Sequence, residues 1–454
     1  MSRPNVNFPF RFPRDFLFGV STSSYQIEGA VHEGGRGKSI WDTFCDVPGK
    51  ILDGSTGEIA CDHYHRWAGD LDLIKETGAS AYRFSIAWPR ILPEGTGAVA
   101  QAGLDFYDCL IDGMLQRGIH PYATLYHWDL PQALQEKGGW MNRSIIEAFV
   151  HYVDTVTRRL GDRVKAYITL NEPWCSSMLS HYIGMHAPGL QDRKKALQAA
   201  HHLLLAHGSA LSVLRANAPA ANVGIALNVC PGYPANPESF EDIAAAERWN
   251  GFYNNWFSDP LFKGRYPEVM WNYYGADVPQ VRAGDFDTIS RPLDFLGINY
   301  YTREVIQNAP ESPLLGLTVL RNAQERTHMD WEVFPQGFTD ILLQLHRQYN
   351  LPPVYITENG AAYPDILSRN EIKDVERIRY IERHLQALNE AMLQGVDVKG
   401  YFLWSLMDNF EWAEGYTKRF GIYYVDYPTQ RRIPKQSAAW YAELIARCKN
   451  GELA

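Results

Sequence analysis

Apolar runs long enough to cross a bilayer are missing from this sequence, and its few cysteines show no pairing. Six thiols among 454 residues (Cys45, Cys61, Cys109, Cys175, Cys230 and Cys448) are scattered without CxxC spacing. A chain of this length needs no covalent staples, so reduced thiols in a cytoplasmic setting are expected, and no zinc site is offered. The N-terminal stretch MSRPNVNFPFRFPRDFLFG is broken by prolines and arginines. That excludes the uninterrupted apolar centre of a secretory leader or a membrane span. Basic charge is scarce as well: 43 Lys and Arg stand against 52 Asp and Glu, a net charge of -9. Nucleic acid and anionic membranes both call for a basic face, so neither is expected as a partner. The run RKK at Arg193–Lys195 stands alone and reads as a solvated loop or helix start.

What is present is an ordinary globular balance, 46% hydrophobic and 21% charged, with aromatics at 13% and 13 tryptophans. Most of those rings belong in a core, although flat aromatic faces also serve sugar-binding clefts. Length alone suggests two or three domains, yet large α/β barrels run long as one. No low-complexity linker divides the chain. A short apolar strand, polar residues at its C-terminal end and an amphipathic stretch recur instead. Eight such strands are expected: FLFGV (Phe16–Val20), AYRFSI (Ala81–Ile86), PYATL (Pro121–Leu125), AYITL (Ala166–Leu170), VGIAL (Val223–Leu227), DFLGIN (Asp294–Asn299), VYIT (Val354–Thr357) and GYFLW (Gly400–Trp404). Strands alternating with helices imply a parallel sheet, and eight repeats close into a single (β/α)8 TIM barrel over residues 1–454. The excess length falls in Gly29–Cys61 and Tyr301–Pro353, read as long loops at the C-terminal face, where a deep pocket is built.

Polar residues at the ends of these strands point into one barrel mouth. The fourth strand delivers Asn171 and Glu172, the seventh Glu358, the third His127, Trp128 and Asp129, and the sixth Asn299 and Tyr301. Gln26 follows the first strand, and Trp404, Glu411 and Trp412 follow from the eighth. Arg83 lies within the second, where a buried guanidinium demands a carboxylate or hydrogen-bonding partner. Two glutamates and an arginine in one pocket are the apparatus for cleaving a glycosidic bond: one carboxyl group protonated as acid, the other ionised to attack the anomeric carbon. Arg83 and the Tyr301 hydroxyl would hold one glutamate anionic, and its charge would raise the pKa of the other.

At these residues the chain resembles glycoside hydrolase family 1, the β-glucosidase family, from FLFGVSTSSYQIEG to KRFGIYYVDY. The paired signatures TLNEP and ITENG are both intact, and together, on barrel strands, they are highly specific. The resemblance implies that Glu172 is the acid/base and Glu358 the nucleophile of a retaining mechanism, with carboxyl groups roughly 5–5.5 Å apart. It also implies a glycone pocket of Gln26, His127, Trp128, Asn171, Asn299, Tyr301, Trp404, Glu411, Trp412 and Phe420. Trp404 would be the stacking floor, Asn171 would meet the 2-hydroxyl, and Glu411 would accept from two adjacent hydroxyls. Trp174, Cys175, Leu179 and Trp331 would flank the aglycone side. The implied substrate is a small-molecule β-glycoside, with no cofactor or metal. Family members acting on 6-phosphoglycosides carry serine where this chain has Glu411 and tyrosine where it has Phe420, while Lys418 occurs in both groups. A carboxylate at Glu411 repels phosphate, which favours unphosphorylated sugar. A catalytically silent sugar-binding barrel and a metal-dependent hydrolase are the alternatives from other classes.

Two histidine clusters are decoys. His63-x-His65 in DHYHRW has the spacing of metal-dependent barrel hydrolases, but GEIAC before it makes a poor strand and RWAGDLDLIKETG reads as helix. Asp62 is therefore expected as an N-cap, with both histidines in the first turn. HHLLLAH, His201–His207, has helical spacing in apolar surroundings and reads as helix packing. Glucose versus galactose or fucose preference, chain length, transglycosylation and oligomeric state stay open at this level.

Overall fold

A computed structural model describes residues 8–453; residues 1–7, the start of the stretch read above for a leader, lie outside them. Eight parallel strands close a barrel: β1 (Leu17–Ser21), β2 (Ala81–Ser85), β3 (His120–Thr124), β4 (Ala166–Asn171), β5 (Asn222–Val229), β6 (Phe295–Tyr300), β7 (Val354–Asn359) and β8 (Val398–Trp404). Each pairs with its sequence neighbours, and β1 pairs with β8, with Ser21 opposite both Trp404 and Arg83. All eight expected strands are present, within a few residues at each end.

Helices follow the strands in turn: α1 (His63–Thr77), α2 (Gln101–Gln116), α3 (Ile145–Leu160), α4 (Arg193–Asn217), α5 (Phe240–Asn250), α6 (Pro335–Gln348), α7 (Val375–Leu393) and α8 (Gln436–Lys449). The sequence of α3 shows why such segments are helical: Ala148, Phe149, Tyr152, Val153, Val156 and Leu160 recur at three- and four-residue spacing and are buried. Inside the barrel, Tyr122, Phe295 and Phe402 pack with Ala81, Ala166, Ile168 and Ala226 and fill the N-terminal end. Gly19 makes room for them, since a Cβ there would fall 2.5 Å from Phe402. A filled lower layer leaves open space only at the C-terminal mouth.

Two segments read as loops carry more structure than expected. Gly29–Cys61 holds a short helix, Ile40–Cys45, closed by a Ser39–Asp42 capping box. Tyr301–Pro353 contains an antiparallel pair, Glu304–Asn308 with Leu317–Leu320, as well as the whole of α6. The physical reason for α6 is visible in its residues: Phe338, Ile341, Leu342 and Leu345 form a buried stripe behind an N-terminal proline. Asp62 precedes α1 as expected, but with φ of 52° it makes no side-chain cap. Its carboxylate binds His65 Nδ1 (2.6 Å) and Arg66 Nε (2.8 Å) instead, while His63 is buried against Asp70. The histidines of α4 serve packing: His201 binds Tyr266 and Asp285, His202 the Trp140 carbonyl, and His207 the Thr169 hydroxyl. Asp192 caps the RKK helix start through the Lys195 amide.

Beneath the segment that follows β8 lies a buried ionic network. Asp408 accepts from Arg419 Nη1 (2.6 Å), Lys435 Nζ (2.6 Å) and the Gly421 amide. Lys435 also reaches Asp365, which accepts two bonds from Arg377, and Arg377 pairs again with Asp374. Three acids and three bases balance. Burial, with the Arg377 charge, lowers the Lys435 pKa. The network ties α7 and the start of α8 to residues 408–421. Removing one partner strands a buried charge, so Lys435→Met is expected to destabilise the fold by about 3–5 kcal/mol, read by denaturant unfolding.

Candidate active site

The two glutamates at the barrel mouth are aimed by irregularities in the sheet. Along β4, Ile168 pairs with Gly224 but Asn171 with Ala226, so β4 has one residue more than β5 over this stretch. Along β7, Ile356 pairs with Ile298 and Glu358 with Asn299, again one extra residue. Against β8 the shifts cancel: β8 has one residue more between Val398 and Gly400, and β7 has one more between Ile356 and Asn359, across Glu358. The β4 bulge against β5 and the β7 bulge against β6 each lead directly into a glutamate and re-aim the side chains that follow. Three residues at the mouth also have left-handed backbone: Glu172 (φ 47°), Trp128 (φ 77°) and Trp412 (φ 49°). For such residues this conformation costs on the order of 1–3 kcal/mol each, and the surrounding packing sustains it.

The ITENG motif is mostly scaffold. Asn359 donates to the Tyr300 carbonyl (2.8 Å) and accepts from the Tyr401 hydroxyl (2.8 Å), stitching β7 to both neighbours. Gly360 is required by close approach, since a Cβ there would lie 1.7 Å from the Trp404 carbonyl oxygen. Thr357 donates to Asn299 Oδ1 (2.5 Å) and so fixes the orientation of that amide. Only Glu358 faces the cavity.

Arg83, fully buried, organises the centre. Its Nη1 donates to Glu358 Oε1 (2.5 Å) and the Thr357 carbonyl (3.1 Å), its Nη2 to Asn171 Oδ1 (2.6 Å), and its Nε to Thr124 (3.2 Å). Because a guanidinium only donates, Asn171 must present its oxygen to Arg83 and its amide nitrogen to His127 Nε2 (3.1 Å). His127 therefore carries its hydrogen on Nδ1, and burial together with the Arg83 charge pushes its pKa well down, so the ring is neutral.

The two carboxyl groups sit in opposed environments. Glu358 receives Arg83 on Oε1 and the Tyr301 hydroxyl on Oε2 (2.6 Å). Glu172 receives Asn299 Nδ2 on Oε1 (2.7 Å) and the Cys175 thiol on Oε2 (3.1 Å), with no cation bonded to it. Burial, then the charge of Glu358, pushes the Glu172 pKa up to about 8. Glu411 is also pushed up to about 8, by burial and then by Glu358. Of the three carboxyl groups, Glu358 is the one paired with a cation, Arg83, while Glu172 and Glu411 are both pushed toward their protonated forms near neutral pH.

A cavity of about 480 Å³ opens over these groups, lined by His127, Trp128, Glu172, Asn299, Tyr301, Glu358, Trp404, Glu411, Trp412 and Phe420. Trp404 and Trp412 each lie nearly parallel to the His127 ring, with centroids 5.9 Å away. Phe420 closes a corner with Tyr301 and Trp331. Trp174, Cys175, Leu179 and Trp331 line the same cavity, and Trp174 stacks on Tyr253 at 4.2 Å. Cys175 and Leu179 come from a π-helical segment, Cys175–Ile183, that starts three residues after Glu172. Two expected pocket residues, Gln26 and Asn171, stand behind the wall, fully buried. Gln26 donates to the Phe410 carbonyl (2.8 Å), Asn409 (3.0 Å) and Glu411 (3.4 Å). The reading of the sequence missed Asn228, Tyr253, Glu304 and Arg321, which line the outer cavity. Asn228 lies near the end of β5, Tyr253 in a π-helical turn, and Glu304 and Arg321 at the open end of the antiparallel pair, and no short motif marks any of them.

The model of the family described as Glycosyl hydrolase family 1 matches residues 9–450, and the chain belongs to this family. A β-glucosidase of an Agrobacterium species is 48% identical over 454 residues, covering 99% of this chain and 98% of the relative. A bifunctional β-D-glucosidase/β-D-fucosidase of Bifidobacterium breve is 43% identical over 461 residues, covering 96% and 98%. The solved family 1 β-glucosidase from Thermotoga maritima superposes with a TM-score of 0.95 at 46% identity, covering 98% of this chain and 99% of that one.

Proposed function

We propose that the chain is a single-domain retaining β-glucosidase. It releases terminal, non-reducing β-D-glucosyl residues from cellobiose, short cello-oligosaccharides and aryl or alkyl β-glucosides. The observation that carries this reading is the pair of carboxyl groups in opposed environments. Glu358, bonded to Arg83 and Tyr301, attacks the anomeric carbon; Glu172, protonated, donates to the departing oxygen. Water then hydrolyses the glycosyl-enzyme, with Glu172 as base. Trp404 stacks against the pyranose ring, and Glu411 accepts from two neighbouring hydroxyls. His127, Trp128, Trp412, Asn299 and Phe420 shape the rest of the glycone site, and Gln26 and Asn171 orient their neighbours from behind. β-Galactosides or β-fucosides are secondary substrates, the fucosides in keeping with the glucosidase/fucosidase name of the B. breve relative.

Unphosphorylated sugar is favoured over a 6-phosphoglycoside. Phe420 offers no hydrogen-bond donor, and Lys418 is engaged by the His328 carbonyl (2.8 Å) with Glu414 3.7 Å away. Glu411, whether protonated or ionised, offers a phosphate dianion no positive charge.

Three outcomes test the assignment. Glu358→Gly abolishes hydrolysis of an aryl β-glucoside, and azide restores turnover with an α-glycosyl azide as product; a β-configured azide would contradict attack by Glu358. Glu172→Ala slows substrates with poor leaving groups far more than activated aryl glucosides, because the latter hardly need a proton. Equal slowing of both would remove the acid role. In the unaltered enzyme, kcat/KM for cellobiose falls as pH rises through about 8, where Glu172 loses its proton, by roughly tenfold per further pH unit.

A further inference from the structure

Glu172 has a second neighbour that the scheme above leaves without a part. Oε1 faces Asn299 Nδ2, an amide whose orientation is set by the Thr357 hydroxyl on its oxygen and by the Asn171 oxygen on its nitrogen. An N–H cannot accept, so the proton that Glu172 gives up resides on Oε2. That oxygen lies 3.1 Å from Cys175 Sγ. The sulfur is itself held: Asn228 Nδ2, which also donates to the Tyr253 hydroxyl (2.9 Å), approaches it at 3.7 Å. With an amide hydrogen on its acceptor side, the thiol hydrogen is directed to Glu172.

We propose that Cys175 is a positioning residue for the acid, a deliberately weak donor that orients Glu172 Oε2 without holding the carboxyl group in its ionised form. This rests on the acid/base reading of Glu172. A thiol is a feeble donor and a feeble acceptor, so it supports the carboxylate after proton release and yields when the proton returns. A hydroxyl in its place would donate strongly to the anion and favour it over the acid. Burial and the Glu172 charge push the thiol pKa well up, so the S–H persists through the working pH range. The other ionisable groups facing Glu172 are Glu358 on β7, Arg83 on β2, Tyr301 beyond β6, Tyr253 beyond β5 and Glu411 in the segment after β8. Neutral His127, beyond β3, completes the set. None of these is altered by exchanging the sulfur for oxygen.

The test is the pH profile of kcat/KM for methyl β-glucoside in Cys175→Ser and Cys175→Ala. Because the position of a limb does not depend on how much of the protein is folded, partial loss of folding leaves the readout intact. The serine variant is expected to place the alkaline limb at least about half a pH unit below the alanine variant, with the parent enzyme between them. Above neutral pH the serine variant should also lose about threefold in kcat/KM on methyl β-glucoside, while an activated aryl glucoside is spared. Coincident limbs, or a serine limb at or above the alanine one, overturn the proposal. The Glu172→Ala leaving-group comparison separates the two ideas. If it shows acid behaviour while the cysteine series stays flat, only the role of Cys175 falls; if it shows none, the acid reading itself has failed.

Discussion

The buried guanidinium of Arg83 is the constraint on which the rest of the site depends. A charge with no exposure to water needs partners in the protein, and all three nitrogens of this one have them, in Glu358, Asn171, Thr124 and the Thr357 carbonyl. Since arginine cannot accept, each partner's orientation follows by elimination. Asn171 turns its oxygen inward, His127 must carry its hydrogen on Nδ1, and Asn299 is left facing Glu172 with its amide hydrogens. A single residue on β2 therefore sets the proton arrangement of groups arriving from β3, β4, β6 and β7. The neutral His127 and the asymmetric surroundings of the two glutamates are consequences of the same interaction.

Around that centre, motif residues divide into those that touch the cavity and those that make its wall possible. In ITENG one side chain of five faces the open space; Thr357, Asn359 and Gly360 hold an amide, join neighbouring strands and permit a close backbone approach. The segment that presents Glu411, Trp412 and Phe420 has little regular structure of its own. Its shape derives from Asp408 below it, bonded to Arg419, Lys435 and the Gly421 amide. A stretch with little regular structure thereby forms a wall of the cavity, supported from beneath by charge.

Much of this was legible in the sequence, because the strands are continuous apolar runs whose polar ends declare where they stop. Arg83 could be read as needing a carboxylate or hydrogen-bonding partner, and the structure supplies both, Glu358 beside Asn171, Thr124 and the Thr357 carbonyl. The helical stripe of α6 was equally present in the residues, yet the long span between Tyr301 and Pro353 drew the reading toward a loop. Other features carry no local signal. The bulges in β4 and β7 depend on how many residues the neighbouring strands contribute, and left-handed backbone at Trp128, Glu172 and Trp412 breaks local preference at the mouth itself. The ionic network joins positions 365 to 435, which no spacing rule connects. Asp62 shows the opposite error: the cap position was right, but its side chain found His65 and Arg66 before the helix amides.

The two bulges have a consequence for anyone moving this centre between scaffolds. In a strand of strict alternation, inserting or deleting one residue exchanges inward and outward faces for everything downstream. β4 carries one such insertion relative to β5 and β7 one relative to β6, so their glutamates face inward only in company with those neighbours. The heritable unit is then a block of adjacent strands. An exchange of β4 or β7 alone, joined by the best local sequence match, would close the gap that the extra residue occupies and turn the carboxyl group away from the cavity.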